Sequence, residues 1–124
     1  MTNGSNIPGQ LRLTIDSRYI GEVLGPAVCV DHGMAWPATK RWPYGWVAHL
    51  FVCGPEHLGL LHEMARELCL SRSWFQGGAS LPHYDLTRRM HHRAVTAGAI
   101  LIARRELGEV LMHWGRLRKE GWTL

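Results

Sequence analysis

Sulfur chemistry is scarce in this chain. Its 124 residues include three cysteines, Cys29, Cys53 and Cys69, odd in number, far apart and without a CxxC pair. That argues against a disulfide framework and a zinc ribbon, and it fits a reducing cytoplasm. No apolar run approaches the roughly 18–20 residues of a membrane span, so no membrane partner is expected. Met1-Thr2-Asn3-Gly4-Ser5-Asn6 offers neither a basic nor an apolar stretch of the kind that opens a secretory signal. The Walker loop, GxGxxG, HExxH and GxSxG are all missing, as are internal repeats and low-complexity segments. These absences remove the enzyme classes recognisable from one short motif. What remains is a site assembled from dispersed residues.

What the chain does have is basic side chains and histidine. Lys and Arg number 14 against 10 Asp and Glu, with eight His and a net charge of +4. Such a chain tolerates polyanions, whether nucleic acid, nucleotide or an acidic protein surface, although the same charge also suits a merely solvated face.

Residues 1–10 are polar with glycine and proline and read as a flexible tail, leaving 11–124 as a single α/β domain. Alternation over Leu11–Ile15 predicts a short edge strand, and Asp16–Pro26 reads as a turn region. Apolar runs at Ala27–Val30, Trp46–Val52 and Ala99–Ile102 predict buried strands. Leu58, Leu61, Met64, Ala65 and Leu68 form one helical stripe. Further helices are expected over about Arg88–Ala97, closed by Gly98, and from Leu107 to about Lys119. The sum is a mixed, mostly parallel sheet of three to five strands flanked by about three helices. Between Met34 and Gly45, two prolines predict a loop. There Trp36, Trp42 and Tyr44 interleave with Lys40 and Arg41, either to hold nucleobases or to pack down on the core.

The densest chemistry lies between Trp74 and Asp85. Trp74-Phe75-Gln76, the small-residue loop Gly77–Ser80 and Pro82-His83-Tyr84-Asp85 bring indole, amide, imidazole, phenol and carboxylate into twelve positions. In an extended segment His83 and Asp85 share one side and Tyr84 takes the other. His83, Asp85 and His49 are the candidates for acid–base work or metal ligation, since imidazole titrates near neutrality and a carboxylate can orient it. Asp31, directly after a strand, and Glu106 are further candidate ligands for a divalent ion. Gln76, Trp74, Arg89, Arg93 and Arg105 are candidates for gripping a phosphate-bearing ligand. Simpler roles compete: His49 as a satisfied strand residue, Asp85 as the cap of the following helix, Glu106 as a complement to a helix dipole.

Taken in order, Val30-Asp31, Ala48-His49-Leu50, Leu61-His62-x-Met64-Ala65, Arg72-x-Trp74-x-Gln76, Pro82-His83-Tyr84-Asp85, Ala97-Gly98-Ala99 and Arg105-Glu106-Leu107 resemble an uncharacterised bacterial and phage family, domain of unknown function 4031. The resemblance covers about residues 27–112. It implies a second aspartate where this chain has His32, and Lys-Arg where it has Met90-His91; the family's histidine or phenylalanine is here Phe75. It implies no particular reaction. Two functions follow as expectations. One is an enzyme acting on a nucleotide or nucleic acid, with a divalent metal as its plausible cofactor and hydrolysis as its reaction. The other is a non-catalytic module that binds a nucleotide, a nucleic acid or a host protein.

Overall fold

The computed structural model describes residues 10–11 and 20–124. In chain order the elements are β1 (Gln10–Leu11), α1 (Ile20–Leu24), β2 (Val28–Val30), β3 (Met34–Ala35), β4 (Trp46–Val52), α2 (Leu58–Glu67), β5 (Tyr84–Leu86), α3 (Arg88–Thr96), β6 (Ile100–Ile102) and α4 (Arg104–Lys119). Single 3-10 turns lie at Pro55–His57 and Arg72–Trp74. The expected tail and the expected strand over 11–15 fall outside the described residues, apart from the backbone of β1, which is an edge strand beside β6.

The fold is α/β, and the sheet is mixed. β6 pairs in parallel with β1 and β2, while β4 pairs antiparallel with β2, β3 and β5. The sheet is therefore less parallel than expected. The reason is β4, whose chain enters through a hairpin arm from β3 instead of a helical crossover. α1 adds a fourth helix in a stretch read as a turn. It packs on α4 and buries Ile20 and Leu24. None of the helices among the described residues is long and apolar enough to cross a membrane.

Leu50 pairs with Tyr84 across β4 and β5, and Trp46 lies on the same side of β4 as Leu50. His62 of α2 meets Tyr84, and His91 of α3 meets Trp46. Thus α2 and α3 cover one face of the sheet, and His49 and Asp85 point to the other. The buried core includes Phe51, Leu61, Ile102, Val110 and Trp114, the last donating its indole N–H to the Val52 carbonyl at 3.0 Å.

Two local features position the site. β2 and β3 behave as one strand interrupted by a bulge: four steps from Val30 to Met34 face three from Leu50 to Val47. The extra residue falls within Asp31-His32-Gly33, where Gly33 takes φ +74° and lies so close under Trp46 that an added Cβ would meet the indole at 2.1 Å. Arg88 sits over that indole, 4.7 Å from its centroid. The second feature is the start of α3. Thr87, not Asp85, caps it, its hydroxyl accepting from the Met90 N–H at 3.2 Å. The Asp85 carboxylate is left for other partners.

Candidate metal centre

The bulge turns Asp31 sideways, toward β4. Its Oδ1 accepts the His49 backbone N–H at 2.9 Å and its Oδ2 lies 2.6 Å from His49 Nδ1. His91 Nε2 reaches the Asp31 carbonyl at 2.7 Å and so pins the bulge from the side of α3. Asp31 is 4% exposed. Burial alone would push its carboxyl up, but the two hydrogen bonds from His49 and the nearby imidazole outweigh that and hold it below the ordinary carboxylate value.

His49 pairs in register with Asp85 on β5. With Nδ1 occupied by Asp31, its Nε2 faces the Asp85 Oδ1 at 3.8 Å. His83, two residues before Asp85 and on the same side of the strand, is held alike. Its Nδ1 lies 2.6 Å from the Leu81 carbonyl and its Nε2 lies 3.1 Å from Asp85 Oδ1. The two imidazoles meet edge to face with centroids 4.7 Å apart. Gln76, brought alongside His83 by a bridge between their backbones, donates from Nε2 to Asp85 Oδ2 at 2.5 Å.

One ligand atom from each of His49, His83 and Asp85 lies within 4.8 Å of the others. Donor atoms around a single ion, at bond lengths near 2.1 Å, stand about 3.0–3.5 Å apart, so this arrangement needs only small closure. Each imidazole also gives its other nitrogen to a fixed acceptor, the arrangement that sets tautomer and ring direction in metal sites. As the site stands, a proton on His83 Nε2 bridges to Asp85. Burial lowers the His83 pKa, but hydrogen bonds to Asp85 and the Leu81 carbonyl, with the charges of Asp85 and Asp31, raise it above the ordinary value overall. Burial raises that of Asp85, yet His83, Gln76 and His49 bring it below.

A model of the family described as protein of unknown function, DUF4031, matches residues 28–113. The chain belongs to this family. No curated protein and no solved structure matches it. In this DUF4031 chain, His32 stands exposed in the bulge, next to the buried Asp31. Phe75 packs edge-on against His62 and beside Tyr84. His91, at the second of the Lys-Arg positions, is the residue that holds the Asp31 carbonyl.

Of the residues singled out in the sequence, the fold brings together Asp31, His49, Gln76, His83 and Asp85. Asp31 acts on His49 and stands outside the ligand trio. Trp74, two residues before Gln76, is 58% exposed. Arg89 and Arg105 are exposed, and Arg93 touches the Met90 sulfur at 3.7 Å. Glu106 is buried in the first turn of α4, its Oε2 without a hydrogen-bond partner. No hydrogen bond, ion pair or ring contact among the described residues links Trp74, Arg89, Arg93, Arg105 or Glu106 to the trio. Cys29 and Cys53 are inert: burial first, then Cys53 beside Cys29 and Glu56 beside Cys53, pushes both thiols up to about 12. Sequence reading missed the second nitrogen of His91 and the Leu81 carbonyl. The glycine of Asp31-His32-Gly33 was the available signal for the bulge, since glycine after an apolar strand marks such sites.

Proposed function

We propose that this protein is a divalent-metal-dependent hydrolase of the cytoplasm acting on a phosphate-bearing ligand, a nucleotide or nucleic acid. The observation that carries the reading is the pair of histidines, each anchored through Nδ1, whose Nε2 atoms converge on one carboxylate oxygen. Two imidazoles and a carboxylate suit zinc, manganese or iron(II). An ion held there supplies a Lewis acid and lowers the pKa of a bound water. Asp31 keeps His49 in the tautomer whose Nε2 is a lone pair, and Gln76 fixes the direction of Asp85. Trp74, exposed two residues before Gln76, is the candidate to receive a base or sugar, and Arg89, Arg93 and Arg105 supply positive potential. A net charge of +4 agrees with an anionic ligand.

A second reading, a non-catalytic binding module, is favoured by the hairpin arm. There Trp36 and Tyr44 are 49% and 60% exposed beside exposed Lys40 and Arg41. One experiment separates them. The chelator-treated protein is titrated with Zn²⁺ and Mn²⁺ by calorimetry, then incubated with phosphate mono- and diesters. The hydrolase reading requires one ion per chain and loss of both binding and turnover in a His83→Ala variant that still melts cooperatively. Metal and ligand binding with no product after hours supports the module. Absence of metal binding, or binding indifferent to His83→Ala, overturns the metal centre.

A further inference from the structure

The other side of β5 carries a second feature. Tyr84 points away from His83 and Asp85, toward α2, and there it floors a cavity of about 490 Å³. Its walls include His62, Glu63 and Arg66 from α2 and Arg72 from the turn that precedes Gln76. That volume falls within the roughly 300–1,000 Å³ of small-ligand sites.

Four of the lining side chains, His62, Arg66, Arg72 and Tyr84, are donors, and Gly59, Leu70 and Glu63 complete the wall. Two guanidiniums offer N–H forks shaped for oxyanions. Arg72 lies over the Phe75 ring at 5.9 Å, which limits its freedom before any ligand arrives. At the floor, His62 Nδ1 and the Tyr84 hydroxyl are 2.8 Å apart. A neutral imidazole and a phenol together hold two polar protons and use one between them, so the other is left to a ligand whichever tautomer stands. The imidazole stays neutral here, because burial and then the Arg72 charge lower the His62 pKa. The carboxylate in the wall, Glu63, is on the exposed side of α2.

We propose that this cavity is an anion site, separate from the metal centre, that binds a phosphate group through Arg66, Arg72 and the His62–Tyr84 pair. The three terminal oxygens of a phosphate match two forks and a floor donor, whereas a carboxylate has two oxygens and leaves one donor unmet. Inorganic phosphate and the phosphate of a small ester share this chemistry. The site does not rest on the hydrolase reading: its residues lie on the opposite face of the sheet from His49, His83 and Asp85.

The test is calorimetric titration of the full-length, chelator-treated protein with inorganic phosphate, adenosine 5′-monophosphate and acetate. Saturable one-site binding of phosphate or the nucleotide is expected, with acetate much weaker. Affinity should fall roughly tenfold or more in Arg72→Gln, as loss of a charge-assisted pair requires. It should fall severalfold in Tyr84→Phe, which keeps the ring and removes the hydroxyl. It should be unchanged in His83→Ala. A nucleotide that binds tighter than phosphate identifies an ester as the ligand; equal affinities identify free phosphate. Melting curves of the variants check that the fold persists, and Arg66→Gln serves as a second exposed-site variant. No saturable binding at 10 millimolar, acetate binding as tight as phosphate, or affinity indifferent to both Arg72→Gln and Arg66→Gln would each overturn the proposal. Loss of binding in His83→Ala would also overturn it, by moving the anion to the metal centre.

Discussion

Asp31 touches His49 twice, once at the backbone and once at the ring, and the two contacts have different chemistry. Asparagine in its place keeps an oxygen for the backbone N–H but sets an amide NH₂ against Nδ1. The imidazole then prefers to carry its proton on Nε2, where an ion has to bind. Asp31→Asn is expected to weaken Zn²⁺ binding 10- to 100-fold, read by competition with a chromophoric chelator on a variant whose cooperative melting shows that it is folded. Unchanged affinity would show that Asp31 does not set the tautomer. The same cluster makes metal-free stability depend on pH. The carboxyls of Asp31 and Asp85 lie below their ordinary value of 3.8, so their contribution is present above about pH 4 and is lost as pH falls through the depressed values. His83 lies above its ordinary 6.5, so its contribution is complete below about pH 6.5 and fades as pH rises through the raised value. Melting temperatures between pH 3 and 9 in chelator should therefore peak between about pH 4 and 6.5, and His83→Gln should flatten the alkaline side. The sequence made these residues visible as types: histidines and carboxylates at strand ends. It did not show that Asp31 serves His49, because the two lie eighteen positions apart and are brought together only by the pairing of β2 with β4.

Helices and long strands were legible because their patterns are local. β4 shows as a seven-residue apolar run, and α2 and α3 show their stripes and stops. α1, β3 and β5 are short, five, two and three residues long, and the two strands exist through partners far away in sequence. Even so, the alternation in His83-Tyr84-Asp85 foretold which side each residue takes, and Tyr84 is indeed 1% exposed. Helix ends offer a direct test. α2, α3 and α4 each end in a left-handed residue whose successor donates to the carbonyl five positions back, as in Leu70 N–H to Ala65 at 2.9 Å. Glycine fills that place after α3 and α4, but after α2 it is Cys69 at φ +63°. Cys69→Gly should raise stability by about 1 kcal/mol in denaturant titration, since the side chain is exposed and only the backbone preference changes. Gly33→Ala should do the reverse. Its Cβ would enter the Trp46 ring at a positive φ, costing about 2 kcal/mol or more and loosening Asp31 from His49. A paired loss of melting temperature and metal affinity is the expected readout; a neutral effect would show that the bulge yields easily.

At the scale of the molecule, the loop that carries Gln76 toward His83 is braced from the far end of the chain. Arg118 on α4 donates to the Ser80 and Ala79 carbonyls at 2.5 and 2.7 Å, and its guanidinium lies 5.5 Å from the Trp122 ring. Trp122 packs back against Trp114, and the grip of Arg118 on the loop had no sequence signal because carbonyls carry no residue identity. Arg118→Met should cost about 1–3 kcal/mol and weaken metal binding severalfold, measured on one sample by melting and calorimetry. Basic residues show the limit of composition in the same way. The arginines expected to grip phosphate, 89, 93 and 105, stand apart from the trio, while Arg66 and Arg72 face a cavity, a difference set by how α2 sits over β5. That strand also has a parity. Odd positions belong to one chemistry and even positions to another, so the segment from Pro82 to Thr87 cannot change length by one residue without exchanging His83 and Asp85 for Tyr84 across the sheet. Evolution and engineering alike are therefore confined to lengthening the chain elsewhere, as in the exposed loop at Gly78, where an added Cβ meets nothing within 4 Å.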